Sequence, residues 1–444
     1  MNIKNLPQLH PAELEHTQKL AEILQQEIET NGPISFEHYM TQALYHPEYG
    51  YYTSGRHKLA SHKSSQESIK ASTQEHLELG EEIPEDGKEP AMGLVRTDET
   101  SESAMTTAEA VSGDFITAPE LSPWFGRTLA LAVTEVLSHC EEKNILEFGA
   151  GSGILAKQIL DSIDDEKIKY FIIELSSDLK DLQQKTLAEY ADRVVWLEEL
   201  PTAFIGCVIA NEVLDAMPVR LFTYDDQCTL KERYVNIRLA STTADESELD
   251  VSDRLFTWSD QEIDSESIPD DIKSMPKVAG YTSEFNQQAK GWVSSMGEWL
   301  QQGAAIIIDY GFPKAEYYHP QRSQGTLMCH FRHHAHAEVL SLPGIQDITA
   351  HVDFSAIAEK AVEAGLDVIG YTSQANFLIN SGILDLLSSL DPENIESYAL
   401  NIGPVQKLLS ESEMGELFKV MMLSKNVKEL DPIGFSQADR RSQL

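Results

Sequence analysis

Two groups of side chains in this 444-residue sequence are spaced for chemistry. The first is Gly149, Gly151 and Gly153 in the run LEFGAGSG, which follows an apolar stretch and leads into a helix-like segment. The dinucleotide fingerprint G-x-G-x-x-G would need glycine or alanine at the next position, where this chain carries Ile154, so a pyrophosphate ligand is the weaker reading. Glycines let a ligand approach the backbone, and the free amides at the start of a helix suit a carboxylate such as the one S-adenosylmethionine carries. Glu174 ends the next apolar run about 20 residues later, where an acceptor for ribose hydroxyls is expected. The plainer alternative is a common glycine turn and an ordinary solvated glutamate.

The second group is acidic. Asn211, Glu212 and Asp215 follow the apolar run 207–210, and Asp309 ends another at 304–309. In open α/β sheets the ligand crevice lies beyond the carboxyl ends of the strands, which places these residues where a substrate meets a cofactor. If the chain turns helical after Ala210, Glu212 and Asp215 share a face and would grip a guanidinium or ammonium group. The same residues would equally serve as an asparagine cap followed by two acids at a helix start. Further on lie His351 and Asp353, the latter readable as a simple N-cap. The run CHFRHHAH from Cys329 to His336 suggests a metal. Adjacent His333 and His334 do not easily face one ion, however, and no cysteine or carboxylate recurs at ligand spacing, so no metal site is expected.

The elements that must hold these residues alternate as in an α/β protein. Strands are predicted at 144–148, 170–174, 194–197, 207–210 and 304–309, with helices between them. Later strands at 366–371 and 418–423 would close the sheet as an antiparallel edge hairpin. Two helices, over 13–30 and from Phe36, precede a turn rich in tyrosine at Tyr45, Tyr49, Tyr51 and Tyr52. Between the fourth and fifth strands, strand-like segments at 220–224 and 233–239 predict an inserted hairpin, the acidic tract 241–275 a solvated loop, and 283–302 a helix. The reading divides the chain into a helical segment at 1–55, a flexible and disordered polar insertion at 56–112, and a domain at 113–444 with inserted elements at about 219–280.

With 34 basic and 72 acidic residues the net charge is −38, which argues against a nucleic-acid substrate. The four cysteines are widely spaced and suggest neither a disulfide framework nor a zinc site. No apolar run reaches transmembrane length, and the first residues lack a signal or transit pattern, so the expectation is a cytoplasmic protein without membrane insertion. Nothing in the sequence fixes an oligomeric state.

A longer set of blocks runs through the chain: GPISF from Gly32, the tyrosine turn, GDFITAPELSPWFG from Gly113, LEFGAGSG, and IIEL from Ile172. It continues with NEVLDAMPV from Asn211, IDYG from Ile308, GTLMCHFRHHAH from Gly325, HVDF from His351 and SQANFL from Ser373. On these blocks the chain resembles the MidA family of class I S-adenosylmethionine-dependent methyltransferases, whose mitochondrial members are complex I assembly factors that methylate an arginine of a complex I subunit. The resemblance implies a Rossmann-like, seven-stranded, mostly parallel sheet. It also implies cofactor contacts from Gly113, Asp114, Thr117, Glu147, the three loop glycines and Glu174, and a protein substrate presenting an arginine. Within it, Glu212 and Asp215 would orient the guanidinium, Asn211 would position it, and Asp309 or His351 would relay a proton. Rival readings are a non-catalytic cofactor-binding assembly factor and a small-molecule methyltransferase. The insertion at 56–112, between the tyrosine turn and the GDF block, is where this chain departs from the family pattern.

Overall fold

A computed structural model describes residues 6–54, 117–238, 255–264, 266–391 and 393–444. The insertion read as disordered, Gly113 and Asp114 lie outside these residues. The central sheet contains β1 (Asn144–Phe148), β2 (Lys169–Ile173), β3 (Val194–Leu197), β4 (Phe204–Asn211), β5 (Leu300–Phe312), β6 (Asp367–Ser373) and β7 (Phe418–Lys425). Their spatial order is 3-2-1-4-5-7-6. Neighbours from β3 across to β5 are parallel, and β7 runs antiparallel to both β5 and β6. The strand order reverses next to β1, so the crevice at that switch point opens beside the glycine loop.

Alternating side chains divide the strands between two cores. Ile145, Cys207, Ile209, Ile306 and Ile308 pack toward the helices Pro123–Ser138 and Ile154–Ser162, while Leu146, Val208, Ala210 and Ile307 pack toward Gln287–Trp299 and Phe354–Glu363. A strand covered on both faces has no polar side to alternate with, which is why β5 reads as a continuous apolar run. The expected antiparallel edge pair is present, and the same rule explains its order. The last strand is fully covered from Phe418 through Ser424 and inserts between β5 and β6, leaving the earlier strand at the edge with Asp367 exposed.

The segments outside this sheet form a second core. Helices Pro11–Asn31 and Phe36–Tyr45 pack Leu20, Leu24, Phe36, Tyr39 and Leu44 against Leu221 and Val235 of the inserted strands and against Cys329 and Ile348. The inserted sheet comprises Ile34–Ser35, Arg220–Tyr224, Leu230–Ile237, Phe256–Glu262 and Thr282–Phe285. Two expectations are corrected here. Part of the acidic tract is a strand, Phe256–Glu262, because Trp258 on one of its faces packs on Phe36 with ring centroids 5.5 Å apart. The helix expected from Ser283 begins only at Gln287, after a buried strand, with Asn286 capping it through a 2.8 Å bond from the Ala289 amide. Glu284 made that strand look helical. It is tolerated at 1 % exposure because it accepts bonds from Tyr317, at 3.0 Å, and from the Thr326 amide, at 2.8 Å.

Candidate active site

The loop after β1 takes left-handed backbone at Gly149, Gly151 and Gly153, with φ of 60°, 54° and 82°. A Cβ at Gly151 would meet no atom of the described residues within 4 Å, so among them backbone conformation and not crowding calls for glycine there. Gly153 is the N-cap of the helix Ile154–Ser162. A Cβ on Gly149 would stand 3.6 Å from Val213, which puts the loop beside the turn that follows β4. At the end of β2, Glu174 accepts from the Ser176 amide at 2.9 Å and from Gln183 at 2.8 Å. Burial raises its pKa and these bonds draw it back down. Glu147, expected as a cofactor contact, is buried in β1 and accepts from the Tyr170 hydroxyl at 2.8 Å; burial pushes its carboxyl up to about 7. This geometry makes it a packed acid that supports the strand ahead of the loop.

The short helix Ala118–Leu121, preceded by Thr117 as N-cap, joins the loop to the acids. The Ser152 hydroxyl donates to Glu120, Gln158 donates to the Pro119 carbonyl at 2.8 Å, and the Ala118 amide donates to the Glu212 carboxylate.

After Asn211 the chain does not become helical. Glu212 has φ of 53°, and the amides of Val213, Leu214 and Asp215 converge on Oδ2 of Asp309 at 3.2, 2.9 and 3.2 Å. The Tyr310 amide donates to the other oxygen of Asp309 at 2.9 Å. Successive amides around one anion form a nest. Asp309, expected as a proton relay, is therefore the fastener that shapes the turn, although burial still pushes its carboxyl up to about 7. The helical i, i+3 face proposed for Glu212 and Asp215 is absent, and the turn brings them together by another route.

Glu212 accepts from Asn211 Nδ2 and from the Tyr310 hydroxyl, each at 3.2 Å. Burial, with Asp309 nearby, pushes its carboxyl up to about 8. Asp215 is 3 % exposed, and burial together with Asp309, Glu212 and Asp347 raises it well above the usual carboxylate range. Oδ1 of Asp215 and Oδ1 of Asn211 are buried and accept no hydrogen bond from the described residues. The orientation of the Asn211 amide is set by its donation to Glu212, so the orphan atom there is an acceptor.

A closed set of contacts surrounds Asp215. The Tyr45 hydroxyl donates to the Ala216 carbonyl at 3.0 Å, and the Ala350 amide donates to the Asp215 carbonyl at 2.9 Å. Tyr52 donates to Asp347 at 2.9 Å and stacks on Tyr45 with ring centroids 5.5 Å apart. Tyr45, Tyr52, Asp347 and Tyr310 received no task from sequence reasoning. The tyrosine turn was visible as composition, but its contact with residues some 300 positions away was not. His351 stacks on Phe312 at 5.2 Å and lies 5.8 Å from the Tyr310 ring, so it approaches the acids only through Tyr310. Arg322 sits 4.2 Å above the same Phe312 ring, and burial, Arg322 and Lys419 hold the imidazole down to about 4.

These residues suit an adenosyl ligand with a cationic sulfonium. An open loop of left-handed glycines lies beside a pinned carboxylate at the end of β2, and two orphan acceptor oxygens lie across the crevice. Residues 128–372 match a family described as "Putative S-adenosyl-L-methionine-dependent methyltransferase". A crystal structure from Burkholderia thailandensis, of a candidate methyl transferase bound to S-adenosyl-homocysteine, is 37 % identical. The match covers 99 % of this chain and 100 % of that one, with a TM-score of 0.79. The protein arginine methyltransferase NDUFAF7, mitochondrial, of Rattus norvegicus is 25 % identical over 93 % of this chain and 86 % of its own length. The Homo sapiens protein of that name is 26 % identical over 70 % and 73 %. The mitochondrial location in these names overturns the expectation of a cytoplasmic protein, which rested on the first residues and the lack of a long apolar run. Among the described residues no helix is long and apolar enough to cross a membrane. The chain belongs to the MidA-like family of methyltransferases, and its cofactor is S-adenosyl-L-methionine.

Proposed function

We propose that this methyltransferase acts on an arginine side chain of a protein. One observation carries the reading: the buried Oδ1 atoms of Asn211 and Asp215, both acceptors and both without a donor among the described residues, lie with Glu212 in the turn beside the glycine loop. A guanidinium has five N–H donors and no acceptor, the complement of such a lining. The names of the curated relatives point to the same substrate class.

When bound, the cofactor supplies a methyl group on a sulfonium, with the loop glycines, Thr117 and Glu174 as its contacts. Reaction forms an N–CH3 bond, breaks the S–CH3 bond and releases one proton from the guanidinium. Asn211 and Asp215 accept N–H bonds and keep the positive charge on the nitrogens that do not react. Glu212, held by Asn211, Tyr310 and the Ala118 amide, takes the proton. A bound guanidinium cation favours the ionised form of this carboxyl, which burial otherwise pushes up to about 8, and the ionised form is a stronger base than the His351 imidazole, held down to about 4. The test is transfer of label from methyl-labelled cofactor to proteins of a cell extract, resolved by mass, followed by amino-acid analysis of the labelled band. Label in methylarginine, lost in Glu212→Gln and Asp215→Asn, supports the reading. Label confined to small molecules, or wild-type rates in both variants, overturns it.

A further inference from the structure

Gln183 lies in the helix Ser177–Thr186, a segment otherwise rich in charged and polar residues, yet it is 0 % exposed. Its side chain makes three hydrogen bonds to three different elements. Nε2 donates to the Gly151 carbonyl of the glycine loop at 3.0 Å and to Oε2 of Glu174, just beyond β2, at 2.8 Å. Oε1 accepts from the indole of Trp196 in β3 at 2.9 Å. The indole can only donate, so the amide oxygen must face Trp196 and both N–H groups must face the loop and Glu174. The orientation is thus dictated by chemistry. The main chain of Gln183 is also packed against the loop, since a Cβ on Gly153 would stand 3.3 Å from its Cα.

Glu174 is consequently held at both oxygens, by Gln183 on one and by the Ser176 amide at 2.9 Å on the other. A carboxylate has about four lone-pair sites. Ser176 and Gln183 take two, the Leu175 amide donates to the same carboxylate, and the acceptor capacity left for a ligand is directed by the plane that these bonds set. We propose that Gln183 is a positioning residue that aligns Glu174 for a vicinal diol, the 2′- and 3′-hydroxyls of a ribose, and that Trp196 acts through it by locking the amide. The proposal rests on the reading of Glu174 as the ribose acceptor. It makes diol recognition depend on two residues that need not touch the ligand, and it couples the Glu174 carboxylate to the Gly151 carbonyl through one side chain.

The test compares binding of S-adenosylhomocysteine and its 2′-deoxy analogue by calorimetry in the full chain. Wild type should prefer the diol by about tenfold or more, the scale of a hydrogen bond to a charged group. Gln183→Met keeps the approximate volume and removes the donors. It should weaken S-adenosylhomocysteine about tenfold while leaving the deoxy analogue within about twofold, so that the preference collapses. Trp196→Phe, which leaves the amide free to turn, should reduce the preference about threefold. A purely structural role would weaken both ligands equally, and that result overturns the proposal, as does an undiminished preference in Gln183→Met. If Gln183→Met does not fold, an undiminished preference in Trp196→Phe overturns it alone. Glu174→Gln separates the two layers. A full diol preference in that variant removes the Glu174 reading itself, whereas its loss there with retention in Gln183→Met removes only the role given to Gln183.

Discussion

The two sides of the crevice are built in opposite ways. The cofactor side comes from one continuous stretch, in which β1, its glycine loop, a helix, β2 and Glu174 follow each other within a single βαβ unit. The acid side is collected from five distant segments: the tyrosine turn, the start of the helix Ala118–Leu121, the turn after β4, the end of β5 and the segment from Asp347 to His351. Polarity differs as well. On the cofactor side the described carboxylates have partners, as with Glu147 on Tyr170 and Glu174 on Gln183. On the acid side buried acceptors stand without donors. Under the function proposed above, the first side holds the cofactor and the second receives the donors that the substrate brings. Leaving a buried polar atom unpaired costs about 1–3 kcal/mol, so orphans grouped in one turn point to an absent partner.

This contrast breaks if the two sides cannot be perturbed separately. The largest effect should come from Glu212→Gln, with methyl transfer to protein falling about 10²- to 10⁴-fold, the range for loss of a general base. Affinity for S-adenosylhomocysteine, read by calorimetry, should stay within about threefold, and a parallel fall in both would erase the distinction. From the other side, Glu174→Ala should weaken S-adenosylhomocysteine about 10- to 100-fold while leaving turnover at saturating cofactor close to wild type. Asp347→Asn sharpens the picture of the acid side. It should raise KM for an arginine peptide about tenfold and leave cofactor binding alone, because Asp347, held by Tyr52, acts on Asp215, which the proposal assigns to the guanidinium.

Smaller effects concern stability. In Glu212 the folded carboxyl, at about 8, lies above its ordinary 4.5, so the folded state binds the extra proton. Its contribution is fully present below pH 4.5 and is lost as pH rises through about 8. Denaturant unfolding at pH 5.5 and 8.5 should show wild type losing stability across that interval and Glu212→Gln losing roughly 1–2 kcal/mol less. The slope should shrink without vanishing, since Glu147 and Asp309, both raised to about 7, act in the same direction. Gly151→Ala should cost about 1–2 kcal/mol, the strain of a left-handed residue bearing a Cβ, and be seen as a drop of a few degrees in Tm.

Legibility followed the same division. The placement of Gly149, Gly151, Gly153 and Glu174 at consecutive strand ends was readable because it depends on local spacing that a βαβ unit imposes on its own sequence. The chemistry of Asn211, Glu212 and Asp215 was readable as residue types beyond a strand, but not as geometry. The helix proposed to bring the acids together gave way to a turn because Asp309, on the neighbouring strand, offers the amides a stronger acceptor than a helix start would. His351 was named as a proton relay, yet Phe312 and Arg322 hold it at one remove from the acids. The acidic run 256–262 looked solvated because its partner, Leu230–Ile237, can be recognised only once the sheet has formed.

By itself the sequence determined the alternating strands and helices, the switch-point loop and the class of ligand it receives. These depend on periods of two or three to four residues and on backbone freedom at glycine, which act within a few residues of chain. Only the tertiary structure decided which acids lack a donor, that Asp309 shapes the turn, that Tyr52 reaches Asp347, and that Gln183 holds Glu174. Each of these depends on whether a buried polar atom has found a partner, and that partner sits on another element brought near by burial of apolar surface.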